Sequence, residues 1–287
     1  MKLFLSSALL VAALFIAACS FNPLRTFNAL VPKDGGSERI AEGIAYGGND
    51  RQKLDIYAPT DGDVTGRPTI VWFYGGSWNS GSRKGYGFVG RALASRGFVT
   101  VIADYRLVPD VRFPGFLEDG AGAVRWTREN IDQYGGDGER IVLGGHSAGA
   151  YIAAMLANDP RWLGEGRDAV KGMVGLAGPY DFAPFDVDST IAAFGEWPDP
   201  ADTQPVTFAD AGAPPHLLLT GENDDTVEPR NSEALAAKLR EAGVEAGVRR
   251  YPGVEHINIV VALSRVRRGR APVLDDVTDF VRRVTSE

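Results

Sequence analysis

A serine lies between two small residues in the segment Gly145-His146-Ser147-Ala148-Gly149. An apolar run over 140–144 precedes this segment and predicts a strand, while 150–156 predicts a helix. G-x-S-x-G between a strand and a helix is typical of a nucleophile elbow, a sharp turn that exposes a serine hydroxyl. Small residues are expected at both ends because larger side chains would clash in so tight a turn. The bare pattern also fits a glycine-rich turn with a bystander serine, so the rest of the chain decides.

A serine hydroxyl is a weak nucleophile and needs a base within hydrogen-bond reach. The chain has three histidines, His146, His216 and His256. His146 adjoins the serine and is expected to point away from it, and His216 opens an apolar strand, which favours a structural role. His256 follows the last predicted strand, where the chain order Ser, Asp, His places the base. The sequence therefore predicts His256 as the base, in a loop.

The acid that orients this base is expected between the serine and His256, at the carboxyl end of a strand. The apolar run 217–219 leads to Gly221, and two aspartates, Asp224 and Asp225, follow shortly after it. Adjacent aspartates are also common in ordinary turns. The residues alone leave both aspartates open as the acid.

Hydrolysis at a serine also needs N–H donors for the oxyanion of the tetrahedral intermediate. One expected donor is the backbone of Ala148, directly after the serine. Others are expected from the loop after an early strand, where Tyr74-Gly75-Gly76-Ser77-Trp78 stands. Glycines in such a loop let the backbone approach a substrate oxygen closely.

Taken together, these segments resemble the α/β-hydrolase superfamily, and within it carboxylesterases with an HGG-type oxyanion motif. The resemblance extends from about Ile40 to the end of the chain. Its group is similar to feruloyl and acetyl-xylan esterases, isoprenylcysteine methylesterases and kynurenine formamidases. The motifs that carry it are Tyr74-Gly75-Gly76-Ser77-Trp78, Asp104-Tyr105-Arg106-Leu107, Tyr134-Gly135-Gly136-Asp137, Gly145-His146-Ser147-Ala148-Gly149, Gly221-Glu222-Asn223-Asp224 and Glu255-His256.

The resemblance implies specific roles for residues of this chain. Ser147 would be the nucleophile, Asp224 the acid and His256 the base. The oxyanion N–H groups would come from the three residues Gly76, Ser77 and Ala148. The chain departs from the family at Tyr74, where histidine is usual, and this change is expected to alter the shape of the loop and the substrate preference.

The elements around these motifs alternate between strand and helix from residue 40 onward. This alternation predicts an α/β fold, a mostly parallel sheet with helices on both faces. Lys53–Tyr57 alternates polar and apolar residues, as an exposed early strand does. Residues 180–214 are rich in proline and aromatic residues and interrupt the alternation. They are predicted as a small cap over the site, with a plain surface insertion as the alternative.

The first residues predict export. Lys2 precedes an uncharged apolar stretch, residues 3–18, which is short for a membrane span and typical of a signal peptide. The ending Ile16-Ala17-Ala18-Cys19 resembles a bacterial lipobox, and Cys19 is the only cysteine of the chain. Lipidation of Cys19 would explain that cysteine, whereas ordinary cleavage would leave a free thiol. The expected protein is a lipoprotein of the cell envelope, held in the outer membrane and facing the periplasm.

Composition and length narrow the remaining possibilities. Loss of residues 1–18 takes the formal charge from −7 to −8, which argues against nucleic acid as a partner. One cysteine and three histidines argue against a closed zinc site, and no cofactor is expected. The chain is predicted to comprise a signal peptide over 1–18, a tether over 19–39 and one hydrolase domain over 40–287.

The sequence thus predicts a serine carboxylesterase that acts on small acyl or aryl esters. An arylformamidase-like amidase would use the same residues on a formamide bond. An inactive hydrolase fold, retained as a binding lipoprotein, is an alternative of a different class.

Overall fold

The computed structural model describes residues 23–62 and 65–286, and its centre is an eight-stranded sheet. The strands lie side by side in the order β1-β2-β4-β3-β5-β6-β7-β8. β2 is antiparallel to both of its neighbours, and all later pairs are parallel. The strands are β1 (Ser37–Ala45), β2 (Lys53–Pro59), β3 (Arg67–Phe73), β4 (Val99–Ala103), β5 (Gly136–His146), β6 (Val170–Leu176), β7 (His216–Gly221) and β8 (Ala246–Tyr251).

Helices cover both faces of this sheet. A Cβ added to Gly120 would meet Ile152 and Phe73, so the third and fourth helices share the face to which Phe73 of β3 points. Phe280 of the last helix lies against Gly172 of β6 on the opposite face. The helices are α1 (Pro23–Leu30), α2 (Gly87–Ala94), α3 (Gly115–Asn130), α4 (Ala148–Asn158), α5 (Pro160–Leu163), α6 (Asp188–Phe194), α7 (Arg230–Glu241), α8 (His256–Val261) and α9 (Val273–Thr285).

The predicted α/β architecture is confirmed. The central strands β3, β4 and β5 carry long apolar runs because helices cover them on both sides. In a parallel sheet the carboxyl ends of the strands lie at one edge, and the loops after β3, β5 and β7 meet there. These three loops contain the glycine-rich segment, the elbow and the two candidate aspartates, and His256 follows β8 at the same edge.

The prediction that Lys53–Tyr57 forms an exposed strand was wrong. β2 is buried from Leu54 onward because β1 and β4 flank it and α2 covers it. Its polar member Asp55 is fully buried and accepts a hydrogen bond of 2.7 Å from Nε of Arg83. The polar-apolar alternation therefore records a buried ion pair in this strand.

The chain before β1 packs on the domain, although the sequence predicted a tether over 19–39. Phe27 of α1 contacts the edge of Phe88 in α2, with ring centroids 5.2 Å apart. The side chain of Asn28 accepts from the backbone N–H of Phe88 and donates to the carbonyl of Lys84. β1 itself starts at Ser37, inside the predicted tether. The predicted signal peptide and Cys19 lie outside the described residues, and among those described no helix is long and apolar enough to cross a membrane.

The proline-rich segment 180–214 holds one short helix, α6, and two 3₁₀ turns. Phe194 at the end of α6 is almost fully buried, and it contacts the edge of Trp78 at a centroid distance of 4.8 Å. The segment is therefore packed onto the domain through its aromatic residues, directly beside the loop that follows β3.

Candidate active site

Ser147 occupies a strained turn between β5 and α4. Its φ of 54° and ψ of −124° lie where side-chain-bearing residues are rare. A Cβ at position 145 would lie 2.3 Å from the carbonyl carbon of Gly149. A Cβ at position 149 would lie 2.1 Å from the carbonyl oxygen of Phe73. The expectation that small residues are needed at both ends of the motif is confirmed, and even a Cβ would clash at either position.

Three predicted residues, each following a different strand, form one hydrogen-bonded chain. Nε2 of His256 lies 2.9 Å from Oγ of Ser147, and its Nδ1 lies 2.8 Å from Oδ2 of Asp224. Since an ionised carboxylate only accepts, Nδ1 of His256 carries the proton and Nε2 can accept from the serine hydroxyl. The sequence predicted His256 in a loop, but it is the first residue of the short helix α8.

The structure separates the two aspartates that the residues alone left open. Asp224 is buried, and its Oδ1 accepts from the backbone N–H groups of Thr226 and Val227 at 3.0 and 2.8 Å. These two contacts fix the carboxylate so that its other oxygen faces His256. Asp225 is exposed, and within the described residues it has no hydrogen-bond or ionic partner.

The loop after β3 lies directly against the elbow. A Cβ on Gly75 would be 2.9 Å from Cβ of Ser147, so only glycine allows this approach. The next residues have unusual backbone angles, with φ of 145° at Gly76 and 50° at Ser77. Ala148 begins α4, where the first N–H groups of a helix have no partner within that helix. The three predicted oxyanion residues, Gly76, Ser77 and Ala148, thus lie on the two segments that flank Ser147.

Arg51 braces this loop and was missed by the sequence analysis. Its Nη2 donates to the hydroxyl of Tyr74 at 2.6 Å and to the carbonyl of Gly81 at 3.1 Å. Its Nε donates to the carbonyl of Tyr105 at 2.9 Å. The ring of Tyr74 stacks on that of Tyr105 at 4.5 Å. Tyr74, which stands where the family usually has histidine, therefore packs beneath the loop and links Arg51 to it.

The Asp104-Tyr105-Arg106-Leu107 motif supports the same loop from the neighbouring strand. The hydroxyl of Tyr105 donates to the carbonyl of Tyr74 at 2.8 Å, where the loop begins. Asp104 accepts from the backbone N–H of Arg83 at 2.6 Å and also from its guanidinium, where the loop ends. Arg106 donates to both oxygens of Asp119 in α3. The motif therefore fixes both ends of the loop without contacting Ser147.

The other two histidines are fully buried and do not act on Ser147. Burial lowers the pKa of His216 to about 4, and its Nδ1 lies 2.7 Å from the carbonyl of Pro214 at the far end of β7. Burial, reinforced by the nearby His256, lowers the pKa of His146 to about 3. Both rings are therefore neutral at ordinary pH.

A cavity of about 600 Å³ opens above Ser147. Ser77 and Trp78 line it on one side, and 182–184, 186, 187, 189 and 190 line it on another. Of the aromatic residues in 180–214, only Phe182 lines the cavity, stacked on Trp78 with centroids 6.0 Å apart. Phe185, Phe194 and Trp197 do not line the cavity and instead pack on other aromatic rings. In residues 23–62 and 65–286 no cluster of three or more His, Cys, Asp or Glu side chains could hold a metal ion.

The mostly parallel sheet, with its elbow after β5 and its acid and histidine on later loops, defines a member of the α/β-hydrolase superfamily. More particularly, the chain belongs to the BD-FAE family, whose model matches residues 54–239. The predicted membership of the superfamily is confirmed.

Curated relatives share this part of the chain. The esterase LipC of Mycobacterium tuberculosis is 31% identical over 237 residues, which cover 74% of this chain and 58% of that protein. A probable isoprenylcysteine alpha-carbonyl methylesterase of Oryza sativa, ICMEL1, is 29% identical and matches 85% of this chain and 63% of its own length. The chain thus spans about three fifths of the length of these relatives.

Solved structures show the same fold. A truncated carbohydrate esterase from gut microbiota superposes with a TM-score of 0.79 at 22% identity, covering 90% of this chain and all of that one. Esterase 2 of Thermogutta terrifontis, phosphonylated by sarin, gives a TM-score of 0.73 at 24% identity, covering 88% and 96%. At these identities the likeness establishes the architecture alone.

Proposed function

We propose that this protein is a serine carboxylesterase that hydrolyses small acyl or aryl esters through an acyl-enzyme intermediate. The observation that carries the proposal is the hydrogen-bonded triad Ser147–His256–Asp224, whose serine lines a cavity beside a glycine-rich loop. The esterase names of the curated relatives support the same activity.

Acylation begins when Oγ of Ser147 attacks the ester carbonyl carbon while Nε2 of His256 accepts the serine proton. Asp224 accepts a hydrogen bond from Nδ1 of His256 and stabilises the imidazolium that forms. The carbonyl oxygen becomes negative and accepts from the N–H groups of Gly76, Ser77 and Ala148, a contribution of about 3–4 kcal/mol per donor in a comparable enzyme.

The intermediate then collapses and the carbon–oxygen bond to the alcohol breaks. His256 gives its proton to the departing alcohol, which leaves the acyl group on Ser147. A water molecule enters, His256 accepts one of its protons, and the hydroxide attacks the acyl carbon. The bond between the acyl carbon and Oγ of Ser147 then breaks, Nε2 of His256 returns the proton to Oγ, and the carboxylic acid leaves.

The proposal is tested with Ser147→Ala and a panel of p-nitrophenyl esters. Loss of the nucleophile is expected to lower kcat by up to about 10⁶-fold. Ser95→Ala is the matched control, since Ser95 lies at the end of α2 and, in the described residues, its hydroxyl bonds only the carbonyl of Ala92. An aryl phosphonate should phosphonylate Oγ of Ser147 with loss of the aryl alcohol, and the peptide that contains Ser147 should gain the mass of the phosphonyl group. A Ser147→Ala protein with a tenth or more of the wild-type rate would refute the proposal.

The same panel separates esters from amides. Aryl formamides of matched size are included because an amidase would use the same three residues. Turnover of formamides with no turnover of esters would replace the proposal by the amidase alternative.

A further inference from the structure

His146 lies in the elbow, takes no part in the proposed reaction, and contacts both halves of the site. Its Nδ1 lies 2.8 Å from the hydroxyl of Tyr86, and its Nε2 lies 3.0 Å from the backbone carbonyl oxygen of His256. The hydroxyl of Tyr86 in turn lies 3.1 Å from the backbone N–H of Gly75. Tyr86 and His146 are both almost fully buried.

The chemistry of these groups fixes the direction of every hydrogen bond. The carbonyl oxygen of His256 can only accept, so Nε2 of His146 must carry a proton. A neutral imidazole has one proton, which leaves Nδ1 of His146 as an acceptor. Tyr86 therefore donates its hydroxyl proton to Nδ1, and its oxygen accepts from Gly75. The chain runs from Gly75 through Tyr86 and His146 to the backbone of His256.

We propose that Tyr86 and His146 are positioning residues that hold the oxyanion loop, residues 74–82 after β3, and the proposed base at a fixed separation. This inference rests on the proposed function of the site. Gly75 adjoins the proposed oxyanion residue Gly76, and the carbonyl of His256 belongs to the residue that accepts the serine proton. The oxyanion loop and α8 are distant in sequence, and these bonds tie them together through the elbow.

An apolar pair would fill the same space without the penalty of burying polar groups. Every polar side-chain atom of this pair instead makes hydrogen bonds of definite direction, and these bonds fix where the loop and α8 stand relative to Ser147. Displacing a reacting group by about 1 Å can lower a rate by about 10²-fold. Loss of the link should therefore reduce turnover more than substrate binding.

The kinetic test breaks the link at one residue at a time. Tyr86→Phe removes one hydroxyl, and His146→Gln keeps a possible donor to the carbonyl of His256 but not the ring. Each variant is expected to lower kcat for a p-nitrophenyl ester about 10- to 100-fold, with KM changed less than about threefold. The double variant should lose little more than either single one, since both break one link. Tyr134→Phe is the matched control because the Tyr134 hydroxyl has no hydrogen-bond partner in the described residues.

A spectroscopic test needs no turnover and no variant. In nitrogen-15 spectra of the wild-type protein, His146 should carry its proton on Nε2 alone and should show no titration between about pH 5 and 9. A proton on Nδ1, titration in that range, or unchanged kcat in both single variants would overturn the inference. Activity that survives Ser147→Ala would instead refute the proposed function, and the spectrum would still decide the direction of the link.

Discussion

Asp224 and Asp225 are neighbours in the chain but have opposite surroundings. Asp224 is buried with one carboxylate oxygen 2.8 Å from Nδ1 of His256, whereas Asp225 is exposed at the wall of the cavity. The difference arises because the backbone N–H groups of Thr226 and Val227 turn back onto Asp224. The carboxylate of Asp224 therefore lies within hydrogen-bond reach of His256, whereas that of the neighbouring Asp225 lies in water.

Asp224→Asn should lower kcat by about 10⁴-fold, because an amide in place of the carboxylate favours the wrong tautomer of the histidine. Asp225→Asn is the control and should lower kcat far less, as its side chain does not contact His256. Hydrolysis of p-nitrophenyl acetate by the two purified variants provides the comparison. A larger loss for Asp225→Asn would assign the acid to Asp225.

Arg51→Lys should lower kcat about tenfold, since an ammonium cannot match the planar fork that reaches three acceptors. KM should change little because Arg51 does not line the cavity. Arg265→Lys is the control, as Arg265 is exposed and has no contact with the oxyanion loop. Partial recovery of Arg51→Ala by millimolar methylguanidine would support the bracing role. Wild-type kcat in Arg51→Lys would refute it.

Acyl chains of about two to six carbons should give the highest kcat/KM, because Trp78 and Phe182 close one side of a cavity of limited volume. Phe182→Ala should move the optimum toward longer chains by removing part of that wall. Phe208→Ala, whose ring packs under Arg161 away from the cavity, should leave the optimum in place. A rate that keeps rising through long acyl chains, with activation at an oil–water interface, would indicate a lipase.

Acid should destabilise the fold below about pH 6.5. The pKa of His146 is lowered to about 3 and that of His216 to about 4, so the unfolded chain binds these two protons first. Each ring then removes about 1.4 kcal/mol of stability per pH unit between about pH 6 and 4, and none above about pH 7. The free energy of unfolding, measured with urea between about pH 6 and 4, should change with pH less steeply for His216→Asn than for the wild type. The difference in slope should correspond to about one proton. Equal slopes would mean that His216 is not buried as a neutral ring.

The lipobox-like ending predicts that Cys19 is acylated and that the protein sediments with membranes. More than one acyl chain gives stable attachment, which bacterial lipidation is expected to supply. Cys19→Ala should be soluble or remain unprocessed, and the mass of the mature wild-type N-terminal peptide should include the lipid. Freely soluble wild-type protein with an unmodified cysteine would contradict this prediction.

The sequence was most informative where the signal is local. The apolar run over 140–144 predicted a strand, and these residues lie within β5 because a buried central strand leaves such a run. The elbow was found because its steric demand falls on two glycines within five residues. α8 was missed because a helix of six residues after a Pro-Gly turn is too short to show periodicity.

Long-range contacts left no comparable pattern. Tyr86 and His146 are 60 residues apart, and nothing near either residue indicates the other. Arg51 likewise contacts partners 23, 30 and 54 residues away. The residues alone could not choose between Asp224 and Asp225, since the choice depends on how the turn folds back on itself.

The docking of α1 on α2 has a consequence for where this protein would work if Cys19 is acylated. Three residues separate Cys19 from Pro23, where α1 begins. A fully extended linker of this length spans only about 14 Å. The folded domain would be held close to the lipid headgroups with α1 facing them. It would therefore not rotate freely. Its encounters with esters would then become a search across a surface, limited by lateral diffusion.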